Sequence, residues 1–238
     1  LWLGCGASYD PHGQDVARSM KKILDAAGLS WGVLPQETCC GEPGRRAGNE
    51  YLYMQLSEKL VEAFREKKVR NLLTCDPHCT RMFDVDYRQI PDYEALGIRV
   101  AHHSELIHQL TPSLKLKPAK ESVTFHDPCY LARGRGITRE PRAILESCGA
   151  SVVEMKHHGK LTFCCGAGGA QLFIAEDAPG RDAGRVNHRR FEEVLASGAT
   201  KVAVACPYCP IMLKDAAAHA RRDDIAVLDI AEIVASRL

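Results

Sequence analysis

The chain has no real excess of either charge: 31 Lys and Arg stand against 30 Asp and Glu, a formal net charge of +1 over 238 residues. Without a long-range field it has no electrostatic means of gathering nucleic acid or an anionic membrane surface, so neither partner is expected. Long hydrophobic runs are missing as well. The longest, such as VAVAC at 202–206, fall far short of the roughly 18 residues a spanning helix needs. No basic, apolar, small-residue leader opens the sequence. The chain therefore reads as soluble and cytoplasmic, with any attachment to the cytoplasmic face of a membrane left to segments outside it. It begins at Leu1, inside what reads as a core strand, and so is expected to be part of a longer polypeptide. Also absent is a G-x-G-x-x-G that opens a helix with an acidic residue about 20 positions later. GCG at 4–6 and GAGGA at 166–170 are therefore poor dinucleotide loops.

What the chain has in quantity is cysteine, 11 residues, beside a hydrophobic content of 45%. A chain of this size builds its core without disulfide staples, which points to a reducing compartment and to metal binding or thiol chemistry. Aligning the cysteines exposes an internal repeat. Cys5, Cys39, Cys40, Cys75 and Cys79 read C-x33-C-C-x34-C-x3-C; Cys129, Cys164, Cys165, Cys206 and Cys209 read C-x34-C-C-x40-C-x2-C. Ten of the eleven cysteines belong to these two copies, and only Cys148, beside apolar Ile144 and Leu145, is left as a core filler.

The segments between the cysteines repeat too. Short strands are expected at 1–5 and 123–127, then helices at 15–27 and 141–148, each stopped by a glycine, Gly28 or Gly149, able to take the left-handed conformation. Strands at 31–35 and 151–155 lead toward the paired cysteines. Helices at 49–67, with Leu52, Leu56, Leu60 and Phe64 at helical spacing, and at 183–197 follow. Strands at 69–74 and 201–205 deliver the last two cysteines of each set. Each half closes with a strand, 98–102 or 225–229, and a helix, 104–110 or 230–238. Alternating strands and helices imply an α/β fold of two similar repeats, each a small parallel sheet flanked by helices, with sites at the carboxyl ends of the strands. The halves are expected as two facing lobes, 1–116 and 117–238, joined by the Pro- and Lys-rich stretch 111–120.

Five gathered thiols are one too many for a tetrahedral zinc, and only Cys206–Cys209 has the C-x2-C form of a zinc knuckle. Adjacent side chains diverge, so vicinal cysteines suit a multinuclear cluster whose irons take one thiolate each. Glycines beside the pair would let backbone N–H groups approach cluster sulfurs. His126 and His78 flank the cysteines and read equally well as hydrogen-bond donors to sulfur or as ordinary strand-end histidines. His102, His103, His157 and His158 are expected in exposed loops, without a role. RGRG at 133–136 reads as a solvated turn rather than an anion site.

TCCGE (38–42), HDPCYL (126–131), FCCGAGG (163–169) and ACPYCPIML (205–213) resemble the cysteine-rich CCG modules of heterodisulfide reductase. They resemble still more closely the C-terminal half of heterodisulfide-reductase-like, membrane-linked iron–sulfur oxidoreductases. The resemblance covers essentially the whole chain, with RVNHRRFEEVL (185–195) adding to its second half. It implies a noncubane [4Fe-4S] cluster on Cys129, Cys164, Cys165, Cys206 and Cys209, and another on Cys5, Cys39, Cys40, Cys75 and Cys79. The three-residue spacer in CDPHC (75–79) departs from the pattern and leaves the first site open to a different cluster, zinc or nothing. The implied activity is disulfide reduction, or electron transfer between a dehydrogenase or flavoprotein and membrane quinone. No C-x2-C-x2-C-x3-C-P run is present to feed such a cluster, so electrons are expected from a redox partner or a ferredoxin-like segment outside the chain. Two alternatives stand beside this reading: a zinc-stabilised, non-catalytic docking scaffold, and a thiol–disulfide exchanger built on CPYC (206–209).

Overall fold

The computed structural model describes residues 1–174 and 184–238. Ala183, the expected first residue of a helix in the second repeat, lies outside the described residues. In the first repeat β1 (Asn71–Thr74) and β2 (Arg99–His102) pair in parallel, with Leu72 opposite Val100. In the second, β3 (Glu121–Phe125), β4 (Ala150–Val152), β5 (Lys201–Val204) and β6 (Ala226–Asp229) form a parallel sheet in the order β4-β3-β5-β6. Val202, Ala203 and Val204 are completely buried, as expected of a strand covered on both faces.

The helices obey local signals. Asp10 accepts a hydrogen bond from Gly13 N and starts the helix Pro11–Ala26; Gly28, at φ +67°, ends it, with Gly28 N donating to Asp25 O and Leu29 N to Leu24 O. Asn49 caps Glu50–Glu66 by accepting from Leu52 N. That helix buries Tyr53, Ser57, Leu60, Val61 and Phe64, whereas Leu52 is exposed, so its inner face is rotated from the expected leucine row. The core beneath it is aromatic: Trp2, Phe64, Phe83, Tyr87 and Tyr93 pack edge to face, with Trp2–Phe83 and Phe83–Tyr87 centroids 5.0 Å apart. Each such ring contributes roughly 1.5–3 kcal/mol by leaving water.

Two expected strands do not form. Trp2 donates its N–H to Leu73 O and makes a single bridge to Thr74, after which Gly4–Tyr9 is helical. The Glu37 carboxylate accepts from Leu3 N and Gly4 N, and Gly4 sits at φ +64°, so the chain turns out of the ladder. Residues 31–35 run without regular structure; Gly32 and Pro35 are weak ladder members.

Beside a core of its own in each half, the two halves share a third. Helices Pro11–Ala26, His103–Leu110, Arg139–Ser147 and Ile230–Ala235 share one core, in which Met20, Ile23 and Ile107 of the first half meet Val123, Phe125, Leu145 and Ile233 of the second. Cys148 fills this core, fully buried. The stretch 111–120 docks on it, Lys117 N donating to Arg237 O and Ala119 N to Cys148 O. No helix among the described residues is long and apolar enough to cross a membrane.

His102 and His103 are fully buried rather than exposed, because β2 ends at His102 and the next helix starts there beneath the other repeat. His102 caps that helix in a capping box with Glu105, and Asp229 does the same for Ile230–Ala235 with Glu232. His103 Nε2 lies 2.9 Å from Asp229 Oδ1 and joins the two repeats. His157 and His158 are loop residues, as expected; His157 Nδ1 lies 2.5 Å from Glu193 Oε1. Removing the His103 ring strands a buried carboxylate, so His103→Ala is expected to cost about 3 kcal/mol in denaturant unfolding, with the exposed His158→Ala within about 0.5 kcal/mol of the parent.

Candidate metal centre

Parallel strands bring the second cysteine set to one edge. Cys129 opens the helix after β3, Cys206 follows β5, Cys209 sits in the first turn of Tyr208–His219, and Cys164–Cys165 lie in the loop after β4. Cys129 Sγ is 3.8 Å from Cys164 Sγ, and Cys209 Sγ is 3.5 Å from Cys165 Sγ. Cys164 and Cys165 are also electrostatically linked, as are Cys206 and Cys209, so the five sulfurs gather at one edge of the sheet. Cys165, Cys206 and Cys209 are buried. Hydrogen bonds from Cys129 and Cys165 hold the Cys164 thiol far below its usual range, while the same crowding, with burial, drives Cys129 and Cys209 far above theirs. Burial opposes ionisation of Cys206, but Cys209 and His78 bring it down to about 7. Five crowded thiols, three of them buried, ionise together only around a compensating cation.

In the first set Cys5 meets Cys39, Cys39 meets Cys40, and Cys40 Sγ is 3.3 Å from Cys79 Sγ. The Cys40 sulfur and burial push Cys39 up to about 11. Cys75 stands apart from this chain: it packs against the shared core and borders a small crevice with Leu3, Val16, Cys206 and Asp229. The extra residue in CDPHC is the physical reason, since Asp76 caps the helix Pro77–Arg81 through His78 N at 2.8 Å and leaves Cys75 at the end of β1, before the turn that carries Cys79.

The glycine after each cysteine pair has a definite task. Gly41 and Gly166 lie at φ +85° and +96°, which folds each N–H back onto the first sulfur of its pair, Gly41 N to Cys39 Sγ at 3.4 Å and Gly166 N to Cys164 Sγ at 3.2 Å. A Cβ at Gly166 would stand 3.2 Å from Val186 Cβ, and one at Gly41 3.0 Å from the Tyr53 ring.

Residues to which the sequence assigns no role brace the centre. Arg190, fully buried, donates to His126 Nδ1 at 2.9 Å, to His157 O at 2.8 Å and to Glu193 at 2.7 Å. Since Nδ1 accepts, His126 carries its proton on Nε2, a buried donor with no protein partner among the described residues, in a ring beside Cys165 and Cys209. Asp127, also fully buried, takes both Arg142 nitrogens at 2.8 Å and Gly159 N at 2.8 Å, fixing the turn between β3 and Cys129. Tyr87 Oη donates to Cys40 O at 3.0 Å and ties the first pair to the aromatic core. HDPC and NHRRFEE are visible as motifs, but nothing in a single sequence says that Arg190 meets His126. Arg133 and Arg135 are engaged internally, Arg133 with Thr162 O and Arg135 with Asp84. Gly166→Ala is expected to destabilise the fold by about 1–2 kcal/mol through the left-handed backbone alone, read as a lowered denaturation midpoint.

Comparison with known proteins places this geometry in a family. The family model described as CCG, cysteine-rich domain, matches residues 1–84 and 123–214. The chain is 36% identical over 241 residues to a protein named probable iron-sulfur-binding oxidoreductase FadF from Bacillus subtilis, covering 99% of this chain and 33% of the relative. It is 33% identical to an EtfAB:quinone oxidoreductase of Syntrophomonas wolfei, covering 98% of this chain and 33% of the relative. It is 30% identical to one component polypeptide of a dihydromethanophenazine:CoB--CoM heterodisulfide reductase from Methanosarcina barkeri, over 100% of this chain and 58% of that one. The chain thus spans about a third of the first two relatives and just over half of the third. With both copies of its five-cysteine pattern inside the matched residues, the chain belongs to the CCG cysteine-rich domain family.

Proposed function

We propose that the two cysteine sets hold iron–sulfur clusters and that the chain is the electron-carrying module of an iron–sulfur oxidoreductase. The second set, Cys129, Cys164, Cys165, Cys206 and Cys209, is the site for a noncubane [4Fe-4S] cluster. The first, Cys5, Cys39, Cys40 and Cys79 with Cys75 at its margin, takes a second cluster or zinc. The observation that carries this reading is the gathering of five sulfurs, three of them buried and two pairs of them 3.8 and 3.5 Å apart, beside the Nε2–H of His126, which has no partner among the described residues. A buried donor of this kind suits the sulfur of a bound cluster. When bound, such a cluster supplies one-electron transfer. The protein's part is to hold the thiolates apart, to donate Gly41 N–H and Gly166 N–H to sulfur, and to keep water from Cys165, Cys206 and Cys209. The relatives' names favour a module that takes electrons from a flavoprotein or other redox partner and delivers them to a quinone or a disulfide.

One observation favours zinc as a second reading. Ligand atoms of buried His126, Cys165 and Cys209 lie within 4.8 Å of one another, a mixed nitrogen and sulfur set that zinc accepts on displacing the His126 Nε2 proton. Thiol–disulfide exchange fits less well, because Cys206 and Cys209 are 1% and 3% exposed and closed to a bulky disulfide. Anaerobic purification with iron, acid-labile sulfide and EPR analysis separates these readings. About four irons and four sulfides per filled site are expected, falling by one site's worth in Cys165→Ser. A colourless protein holding only stoichiometric zinc would overturn the proposal.

A further inference from the structure

Each cysteine set ends with a residue placed immediately before its last cysteine, His78 before Cys79 and Tyr208 before Cys209. Both sit in the first turn of the helix that carries that cysteine, and both are buried, 5% and 7% exposed. Each sends a polar atom to a sulfur of the other repeat. Tyr208 Oη lies 3.2 Å from Cys5 Sγ in the first set. A nitrogen of the His78 ring, the Cys206 sulfur of the second set and an Asp76 carboxylate oxygen lie within 4.8 Å of one another. The two rings meet edge to face, centroids 5.0 Å apart at 85°.

The crossing is held from several sides. His78 stacks on Tyr130 at 3.9 Å, its Nδ1 is 3.2 Å from Glu42 Oε1, and Tyr130 Oη donates to the same oxygen at 2.8 Å. Gly168 closes the remaining side; a Cβ there would stand 3.6 Å from the imidazole. On the other side of the crossing, Gly6 faces Pro207 so closely that a Cβ at Gly6 would be 2.8 Å from Pro207 Cβ. Four of the groups around the His78 ring, Tyr130, Gly168, Cys206 and Tyr208, belong to the second repeat.

We propose that His78 and Tyr208 are reciprocal positioning residues, each fixing one cysteine of the opposite repeat's site, so that the two five-cysteine sites are built as one unit. The contact with Cys206 orients a thiolate of the second site from the first repeat, and the contact with Cys5 does the reverse. Two different side chains at equivalent positions make the same crossing, which separates the arrangement from incidental core packing.

The spectroscopic test rests on the cluster reading above, and it uses proteins that retain one site at a time. Cys39→Ser with Cys40→Ser leaves the second site, and Cys164→Ser with Cys165→Ser leaves the first. With only the second site present, His78→Leu is expected to shift the EPR g-values at unchanged iron content, and His78→Gln, which keeps a donor, to move them back. Tyr208→Phe, although next to Cys209, leaves that spectrum unchanged. With only the first site present, Tyr208→Phe shifts the spectrum. Shifts confined to the variant's own repeat, or no shift in either arrangement, overturn the proposal. Should the isolated chain hold no iron, the cluster reading fails separately, and the crossing is read from carbon-13 Cβ resonances of labelled cysteine. Tyr208→Phe then moves the Cys5 resonance and His78→Leu the Cys206 resonance; unmoved resonances overturn it.

Discussion

A parallel sheet presents the carboxyl ends of all its strands at one edge, and the gathering of the cysteines depends on that constraint. Cys129 and Cys206 lie about 80 residues apart in sequence, yet β3 and β5 pair directly, Thr124 opposite Val202, and release both chains at the same place. Cys75 leaves β1 in the same way. The remaining sulfurs come from loops and from first helical turns at that edge. Were the strands antiparallel, alternate cysteines would emerge at opposite ends of the sheet.

Gathering thiols in a dry place creates an electrostatic problem, and much of the polar structure answers it. Buried charges must be paired or hydrogen-bonded. Around the second set Asp127 is neutralised by Arg142, and Arg190 is shared among His126, Glu193 and a backbone carbonyl. Around the first, Asp86 receives Arg45 and Arg46, while Tyr87 directs its hydroxyl to the Cys40 carbonyl. These pairs hold the loops that the sheet edge alone does not order. Within the second set the chain itself favours ionisation of Cys164 and Cys206, while crowding and burial hold Cys129, Cys165 and Cys209 toward the neutral thiol.

The two repeats share one α/β plan, a parallel sheet flanked by helices, and differ in how far it is built. Among the described residues the second has four strands and a largely aliphatic core; the first has two strands and an isolated bridge, and compensates with packed aromatic rings. Its fifth cysteine stands aside from the other four. Because helices of both halves enclose a common core, neither repeat buries its apolar face alone. The duplication is therefore one of pattern, folded into a single interdependent body.

Cysteine spacing, the two left-handed stops at Gly28 and Gly149 and the helix of residues 50–66 are legible in the sequence because each is a local signal: a period, a cap or a backbone preference. The CCG glycines belong here as well, since their positive φ is a property only glycine supplies cheaply. The absence of strands at 1–5 and 31–35 is not legible, because apolar composition does not reveal that Glu37 captures the Leu3 and Gly4 amides. Nor is the burial of His102 and His103, since nothing local marks a residue that another repeat will cover. What the sequence by itself determined was the repeated cysteine pattern, two groups of five, because residue type and spacing carry that information along the chain. Only the tertiary structure decided that Cys75 stands apart, that Arg190 orients His126, and that His78 and Tyr208 cross between the repeats. Those are contacts between segments far apart in sequence, settled by packing rather than by any neighbouring residue.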